Sequence, residues 1–469
     1  MAEAKRVLIR GGTMVTAADV TRADILVEGE QVVAVGTNLG SAGAEVVEAG
    51  GKLIFPGGID PHTHLDMPFG GTVTADDFLT GTIAAAAGGT TTIVDFALQS
   101  RGDSLRNGLA TWHVKAEGKA VIDYGFHIAV NDLNDQVLGE LADVVRDEGV
   151  TSFKLFQAYK GILQVDDATI LRTMQRARQV GALVMAHCEN GDVIQVLVEQ
   201  ALAAGQTDPI YHALTRPPEI EGEATNRLLV LARIAGSAVY VVHLTCQQAL
   251  TAVSAARAAG QTVFAETCPQ YLVLDVDSIR KPDFEGAKYV WSPPLREKWH
   301  QDHLWAGLKS GSLQTLGSDM CSFNFAGQKE LGLGNFAKIP NGGPSIEDRM
   351  SILYHFGVVE GRLSLNEFVA ATSTSAARLF GLFPRKGTIA PGADADLVIW
   401  DPEAERTLSA RSHHMNVDYN PFEGIRVKGA PVRVISRGET VVADGQFVGK
   451  AGRGRFIKRA PFDHERPPR

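Results

Sequence analysis

The sequence contains few cysteines and no two of them in a CxxC arrangement. The four cysteines of the 469-residue chain are Cys188, Cys246, Cys268 and Cys321. Their wide spacing excludes the common CxxC zinc and redox motifs and favours a reduced, cytoplasmic setting. Three of them lie within three residues of candidate metal ligands described below, but small buried side chains are a simpler interpretation than thiolate ligands.

The sequence also lacks the features that mark nucleic-acid, membrane and nucleotide binding. Acidic residues outnumber basic ones by 54 to 45, the formal net charge is −9, and no basic cluster would attract an anionic partner. No apolar run approaches the roughly 18 residues needed to span a bilayer, and the first residues do not have the pattern of a signal peptide. No GxGxxG or GxxxxGK loop opens a helix. We therefore expect a cytoplasmic protein with a small-molecule ligand and with no nucleic-acid or membrane partner.

Eight apolar runs of strand length alternate with helical segments through the middle of the chain. One such segment, Asp166–Val180, has apolar residues along one face and is followed by Gly181, a common helix stop. This alternation predicts an α/β fold, a (β/α)8 barrel, with a doubly wound open sheet as the structural alternative. The eight runs are Leu53–Asp60, Thr91–Phe96, Tyr124–Val130, Ser152–Phe156, Leu183–His187, Val239–His243, Val263–Thr267 and Gln314–Asp319.

The two ends of the chain have a different pattern, in which short β-rich runs alternate with glycine and aspartate turns. We predict that residues 1–52 and 390–445 together form a smaller β-sandwich domain. Residues 53–389 are then the barrel domain. Residues 446–469 are predicted to form a C-terminal tail that is available as an oligomer contact.

Histidines and one aspartate stand where predicted strands end. His62 and His64 are spaced i, i+2, which places both side chains on one face of an extended strand. His187, His243 and Asp319 end three further strands. A single histidine at a strand end is more often an ordinary packed residue. Because the carboxyl ends of the strands form the active-site face of such barrels, the repetition at four strands predicts a metal centre.

A lysine accompanies these candidate ligands in the fourth predicted strand. Protonated Lys154 would be repelled by divalent cations. A neutral lysine amine can instead react with CO2 to give a carbamate, an anion able to bridge two metal ions. A structural lysine paired with a carboxylate is the alternative, and the spacing leaves both interpretations open.

Eight short motifs contain most of these residues. They are Gly57-Gly58-Ile59-Asp60-Pro61-His62-Thr63-His64, Ser152-Phe153-Lys154-Leu155-Phe156-Gln157-Ala158-Tyr159-Lys160, Ala186-His187-Cys188-Glu189-Asn190, Val242-His243-Leu244-Thr245-Cys246, Ser292-Pro293-Pro294-Leu295-Arg296, Gly317-Ser318-Asp319, Ile339-Pro340-Asn341-Gly342 and Leu382-Phe383-Pro384-Arg385-Lys386-Gly387-Thr388-Ile389. In this order they resemble the motifs of the cyclic amidohydrolases, most closely the dihydropyrimidinase and hydantoinase group. The resemblance covers nearly the whole chain and implies a barrel with a β-sandwich built from both termini.

The resemblance implies a homotetrameric hydrolase with a binuclear metal site. The expected reaction opens the cyclic amide of dihydropyrimidines or 5-substituted hydantoins and gives N-carbamoyl amino acids. Zinc is the default metal for histidine and carboxylate ligands, and manganese or iron fits the same set. In the family pattern one metal is held by His62, His64 and Asp319, the other by His187 and His243, and a carbamylated Lys154 bridges the two.

The resemblance also assigns roles around the metals. Tyr159 matches a tyrosine that donates a hydrogen bond to the oxyanion, and Asp319 would transfer the proton. Ser292 and Asn341 match positions that bind the amide edge of the ring. Leu65 and Phe156 are predicted to contact the ring substituent, with ordinary loop packing as the alternative.

Three related functions compete with this interpretation. Dihydroorotase usually has an arginine shortly after the histidine pair, where Leu65, Asp66 and Met67 stand here. Allantoinase is the nearer enzyme alternative. Non-catalytic scaffolding relatives have lost metal ligands that this chain keeps.

Met320 stands where many bacterial hydantoinases have histidine, but the position is not a ligand, so we expect activity to be retained.

Overall fold

The computed structural model describes residues 5–468. In that range no helix combines the length and the apolar character needed to cross a bilayer. The strands described there are β1 (Arg6–Val15), β2 (Val20–Glu28), β3 (Gln31–Gly36), β4 (Glu45–Glu48), β5 (Leu53–Pro56), β6 (Gly58–Thr63), β7 (Pro68–Phe69), β8 (Thr72–Val73), β9 (Thr90–Leu98), β10 (Asp123–Ala129), β11 (Ser152–Phe156), β12 (Leu183–His187), β13 (Val239–Val241), β14 (Val263–Thr267), β15 (Thr315–Leu316), β16 (Leu397–Thr407), β17 (Arg426–Ser436), β18 (Glu439–Ala443) and β19 (Gln446–Phe447). The α-helices described there are α1 (Thr80–Ala87), α2 (Leu105–Ala116), α3 (Asp135–Glu148), α4 (Asp167–Val180), α5 (Gly191–Ala203), α6 (Ile210–Leu214), α7 (Pro218–Ala235), α8 (Gln247–Ala258), α9 (Pro269–Val273), α10 (Trp299–Ser310), α11 (Arg349–Ile352), α12 (Leu365–Val369) and α13 (Ser375–Leu379).

Parallel strands form a nearly closed barrel in the order β6-β9-β10-β11-β12-β13-β14-β15. The gap between the first and last strands is bridged by Ser318, whose backbone N–H donates to Asp60 at 3.0 Å and whose hydroxyl donates to the carbonyl of His62 at 3.1 Å. This arrangement confirms the predicted (β/α)8 barrel over the doubly wound sheet.

The helix predicted over Asp166–Val180 is also confirmed, as α4. The Asp166 side chain caps it by accepting from the backbone N–H of Thr169 at 2.8 Å. Gly181 ends it with φ 73°, a conformation that a side chain would strain.

The first barrel strand differs from the prediction of one strand over Leu53–Asp60. The structure divides this run at Gly57: β5 pairs with β1 and β16 in the other sheet, and β6 pairs with β9 in the barrel. A Cβ on Gly57 would lie 2.0 Å from Oγ1 of Thr91, so only glycine fits at the crossing. Both halves of the run are buried, and apolar character therefore could not mark the break.

Strands from both ends of the chain form a second sheet in the order β19-β18-β17-β16-β5-β1-β2-β3, with β4 paired to β1. Its core includes Ile25, Ile54 and Leu397. The domain boundaries at residues 52, 389 and 445 stay predictions, although β5 lies beyond residue 52 in this sheet and β19 lies beyond residue 445.

The segment after β19 packs along the amino-terminal ends of the barrel strands. The backbone N–H of Ile457 donates to the carbonyl of Tyr124, near the start of β10, at 2.7 Å, and that of Phe462 donates to the carbonyl of Gly181, just before β12, at 2.8 Å. Ile457 and Phe462 are buried in one core cluster with the barrel. These contacts close that end of the barrel, and the role of the tail as an oligomer contact stays a prediction.

We expect Phe462→Ala to lower the free energy of unfolding by about 3–5 kcal/mol, because it empties a buried aromatic site that the barrel cannot refill. Thermal or denaturant unfolding followed by circular dichroism measures the change. Val448→Ala, at a side chain that is 54% exposed, is the matched control and should change stability by less than about 0.5 kcal/mol. If Phe462→Ala lowers the free energy of unfolding by less than about 1 kcal/mol, the tail adds little to the stability of the barrel.

Candidate active site

Three predicted ligands meet where the first and last barrel strands end. Nε2 of His62 and Nε2 of His64 lie 3.2 and 3.3 Å from Oδ1 of Asp319. Ligand atoms of the three residues lie within 4.8 Å of one another. Nε2 of His62 is buried and has no hydrogen-bond partner among the described residues, an arrangement that costs free energy unless a ligand satisfies the atom. Two imidazoles and one carboxylate therefore fit a divalent cation.

A second pair of predicted ligands lies beside the first group. His187 ends β12 and His243 follows β13, and Nδ1 of His187 lies 3.0 Å from Nε2 of His243. The ring centroids of His62 and His243 are 5.4 Å apart. The two groups are thus neighbours in one site.

Lys154 is buried on the wall of the same cavity. Its Nζ lies 4.9 and 5.1 Å from the ring centroids of Phe96 and Phe156. Burial lowers the pKa of Lys154 to about 8, against the opposing effect of the Asp319 and Glu266 carboxylates. Across residues 5–468, Nζ makes no hydrogen bond or ion pair, so the structure does not support the alternative of a lysine paired with a carboxylate.

Two buried glutamates contact the ligand histidines, and sequence reasoning did not single them out. Glu266 in β14 bonds to Nδ1 of His62 and accepts from the Tyr240 hydroxyl at 2.7 Å. Oε2 of Glu189 lies 2.8 Å from Nε2 of His187. Such carboxylates fix the orientation of each imidazole and leave its other nitrogen available to hold a metal ion. Glu266 is a charged residue inside a buried strand, and Glu189 follows the candidate ligand His187 by two positions. These two features of the sequence could have identified them.

Three residues of this site have left-handed backbone conformations. Tyr159, His243 and Asp319 have positive φ values of 65°, 36° and 52°, a region that side chains rarely adopt and that costs about 1–3 kcal/mol. His64 is positioned by a backbone bond, because its N–H donates to the carbonyl of Met320 at 2.8 Å. Met320 therefore supports the ligand through its main chain.

The ligands face a cavity with a polar wall and an apolar wall. On the polar wall, Nδ2 of Asn341 donates to Oγ of Ser292 at 3.0 Å. The ring centroid of Tyr159 lies 5.4 Å from that of Phe69 and 6.0 Å from that of Phe156. The apolar wall consists of Met67, Phe69, Leu98, Phe156 and Leu163. All four cysteines are buried free thiols, as expected, and Cys321 lies at the cavity.

Leu65, a predicted substrate contact, does not line this cavity. Its side chain is buried against α1, where a Cβ on Gly81 would lie 2.4 Å from it. The chain reverses at Asp66, with φ 51°, so Met67 and Phe69 reach the cavity instead. The spacing in the sequence could not reveal this reversal. The other predicted site residues all border the cavity or, in the case of His62, lie directly behind it.

Comparison with known proteins identifies close relatives. A profile described as the amidohydrolase family matches residues 53–441. The chain is 62% identical over 455 residues to a D-hydantoinase of Geobacillus stearothermophilus, covering 97% of each chain. It is 53% identical over 461 residues to a D-hydantoinase of Streptomyces coelicolor, covering 97% of this chain and 98% of the other. The crystal structure of a dihydropyrimidinase from Brevibacillus agri matches 98% of this chain and 100% of its own, with a TM-score of 0.97 and 61% identity.

Proposed function

Because this chain belongs to the amidohydrolase family, we propose that it hydrolyses the cyclic amide of 5-substituted hydantoins and dihydropyrimidines to N-carbamoyl amino acids. The observation that carries the proposal is the convergence of five metal-type ligands on a cavity with one polar and one apolar wall. A 5-substituted cyclic amide has the same division, with an amide edge on one side of the ring and a substituent on the other.

The donor set fits two divalent metal ions. His62, His64 and Asp319 would hold one, and His187 and His243 the other. Lys154 would bridge them as a carbamate, formed when its neutral amine adds CO2 and releases one proton. When bound, the two ions supply Lewis-acid activation of water and of the ring carbonyl. Zinc is the default, and manganese or iron suits the same ligands.

The side chains around the metals provide the proton transfer and the charge stabilisation. Asp319 accepts a proton from the attacking water and delivers it to the leaving ring nitrogen. The Tyr159 hydroxyl donates to the carbonyl oxygen as negative charge develops there. Burial raises the pKa of Tyr159, so this hydroxyl keeps its proton at neutral pH. Ser292 and Asn341 hold the amide edge of the ring.

We expect hydantoin and dihydrouracil to be opened with a kcat/KM about 100-fold or more above that of dihydroorotate. The carboxylate of dihydroorotate would face Met67 and Phe69, and burying an unpaired charge costs a few kcal/mol. Steady-state kinetics on hydantoin, 5-substituted hydantoins, dihydrouracil, allantoin and dihydroorotate tests this expectation. Faster turnover of allantoin would favour an allantoinase, and comparable rates on dihydroorotate would reject the proposed substrate class.

Elemental analysis of active protein should give two divalent ions per chain, because five ligands and a bridging carbamate exceed what one tetrahedral site uses. One ion or none in fully active protein would contradict the binuclear site.

Assembly as a homotetramer, proposed from the family resemblance, is tested by the mass of the protein in solution.

A further inference from the structure

A lysine that the proposed reaction does not use is completely buried beside the cavity. Lys329 begins a 3-10 turn and has no exposed surface. Its Nζ donates to the backbone carbonyls of Val290, Pro340 and Gly342 at 3.1, 2.7 and 2.6 Å. An ammonium group has three donors, so these carbonyls use all of them. Within residues 5–468, no carboxylate forms an ion pair with this lysine.

Burying Lys329 in this way is unfavourable by itself. A buried charge without an opposite partner costs free energy, and burial lowers the pKa of Lys329 to about 7. A methionine would fill a similar volume without that cost. The three carbonyl contacts, together with the approach of Nζ to 5.9 Å from the Phe323 ring centroid, are the interactions that a lysine provides here and an apolar side chain cannot.

The three carbonyls flank the two residues proposed to bind the amide edge. Ser292 follows Val290 by two positions, and Asn341 stands between Pro340 and Gly342. The carbonyl of Val290 also accepts from the backbone N–H of Gly342 at 2.9 Å. The two segments are thus joined at the point that Lys329 reaches.

We infer that Lys329 is a positioning residue for the substrate amide edge: its ammonium group joins the segment of Ser292 to the segment of Asn341 and sets their spacing. This inference rests on the proposed function. Lys329 contacts none of the proposed metal ligands, so it acts on substrate binding and leaves the metal centre intact.

Lys329→Met removes the three donors and keeps a side chain of similar volume. We expect KM for dihydrouracil to rise about 10-fold or more while kcat stays within about threefold. The reason is that Ser292 and Asn341 hold the ring, whereas Tyr159 contacts the attacked carbonyl oxygen, so the binding by Ser292 and Asn341 is equal in the ground and transition states. Metal content should be unchanged. Lys338→Met, at an exposed lysine nine residues further on, is the matched control and should leave KM unchanged.

Lys329→Gln retains one donor group and should give an intermediate KM, and it decides the question if Lys329→Met does not fold. The double variant with Asn341→Ala should raise KM by less than the product of the single effects, because both changes act on one contact. A KM within twofold of wild type in either folded variant, or independent effects in the double variant, would overturn the inference. So would failure of both Lys329 variants to fold, since Lys329 would then serve stability. A wild-type protein inactive on every cyclic amide tested would reject the proposed function instead.

Discussion

Lys154→Ala is expected to lose most of its metal and to lower kcat/KM by about 10⁴-fold or more. The substitution removes the only group proposed to bridge the two ions, and metal-assisted hydrolysis depends on both. The barrel should still fold, because the Nζ of Lys154, the middle residue of β11, makes no hydrogen bond or ion pair within residues 5–468. Elemental analysis, circular dichroism and kinetics on one preparation separate these effects. Lys309→Ala, at a side chain that is 57% exposed, is the control.

The rescue behaviour of this position distinguishes a carbamate from a plain lysine. Acetate or propionate fits the space vacated in Lys154→Ala and should restore part of the activity. Lys154→Arg should not be rescued, because the guanidinium keeps its charge and fills that space. Intact mass under native conditions should show the added CO2. An unmodified amine in active, metal-loaded protein would reject the carbamate, and full metal content in Lys154→Ala would make Asp319 the next candidate for the bridge.

Tyr159→Phe should lower kcat by about 10²–10³-fold with the metals retained, which is the usual effect of removing one donor to a developing oxyanion. The ring would keep its place, because Phe69, Phe156 and His187 pack around it. Steady-state kinetics with a parallel metal assay measures the effect. Tyr354→Phe, at a buried tyrosine packed against Trp400, is the matched control and should keep wild-type kcat. Turnover near wild type in Tyr159→Phe would leave Tyr159 as a packing residue.

The amino-acid sequence alone predicted much of the barrel. β11, β12 and β14 begin and end where apolar runs predicted, because strands buried on both faces read as continuous apolar segments. The convergence of His187, His243 and Asp319 followed from one rule, that the carboxyl ends of barrel strands meet. The alternation of strands and helices therefore predicted the fold, and the candidate ligands at the strand ends predicted the outline of the site.

The sequence by itself determined which apolar runs contribute strands to the barrel and which candidate ligands stand at or just after those strands, since both depend on local period and order. Only the tertiary structure decided the rest. Glu266 contacts His62 although 204 positions separate them in the chain. Lys329 donates hydrogen bonds to carbonyls on two other segments. The apolar character of a segment predicts that it is buried, but it does not predict which other segment it contacts. Leu65 packs against α1, whereas Met67 and Phe69, which follow the turn at Asp66, line the cavity, and such turns depend on contacts between segments distant in the chain.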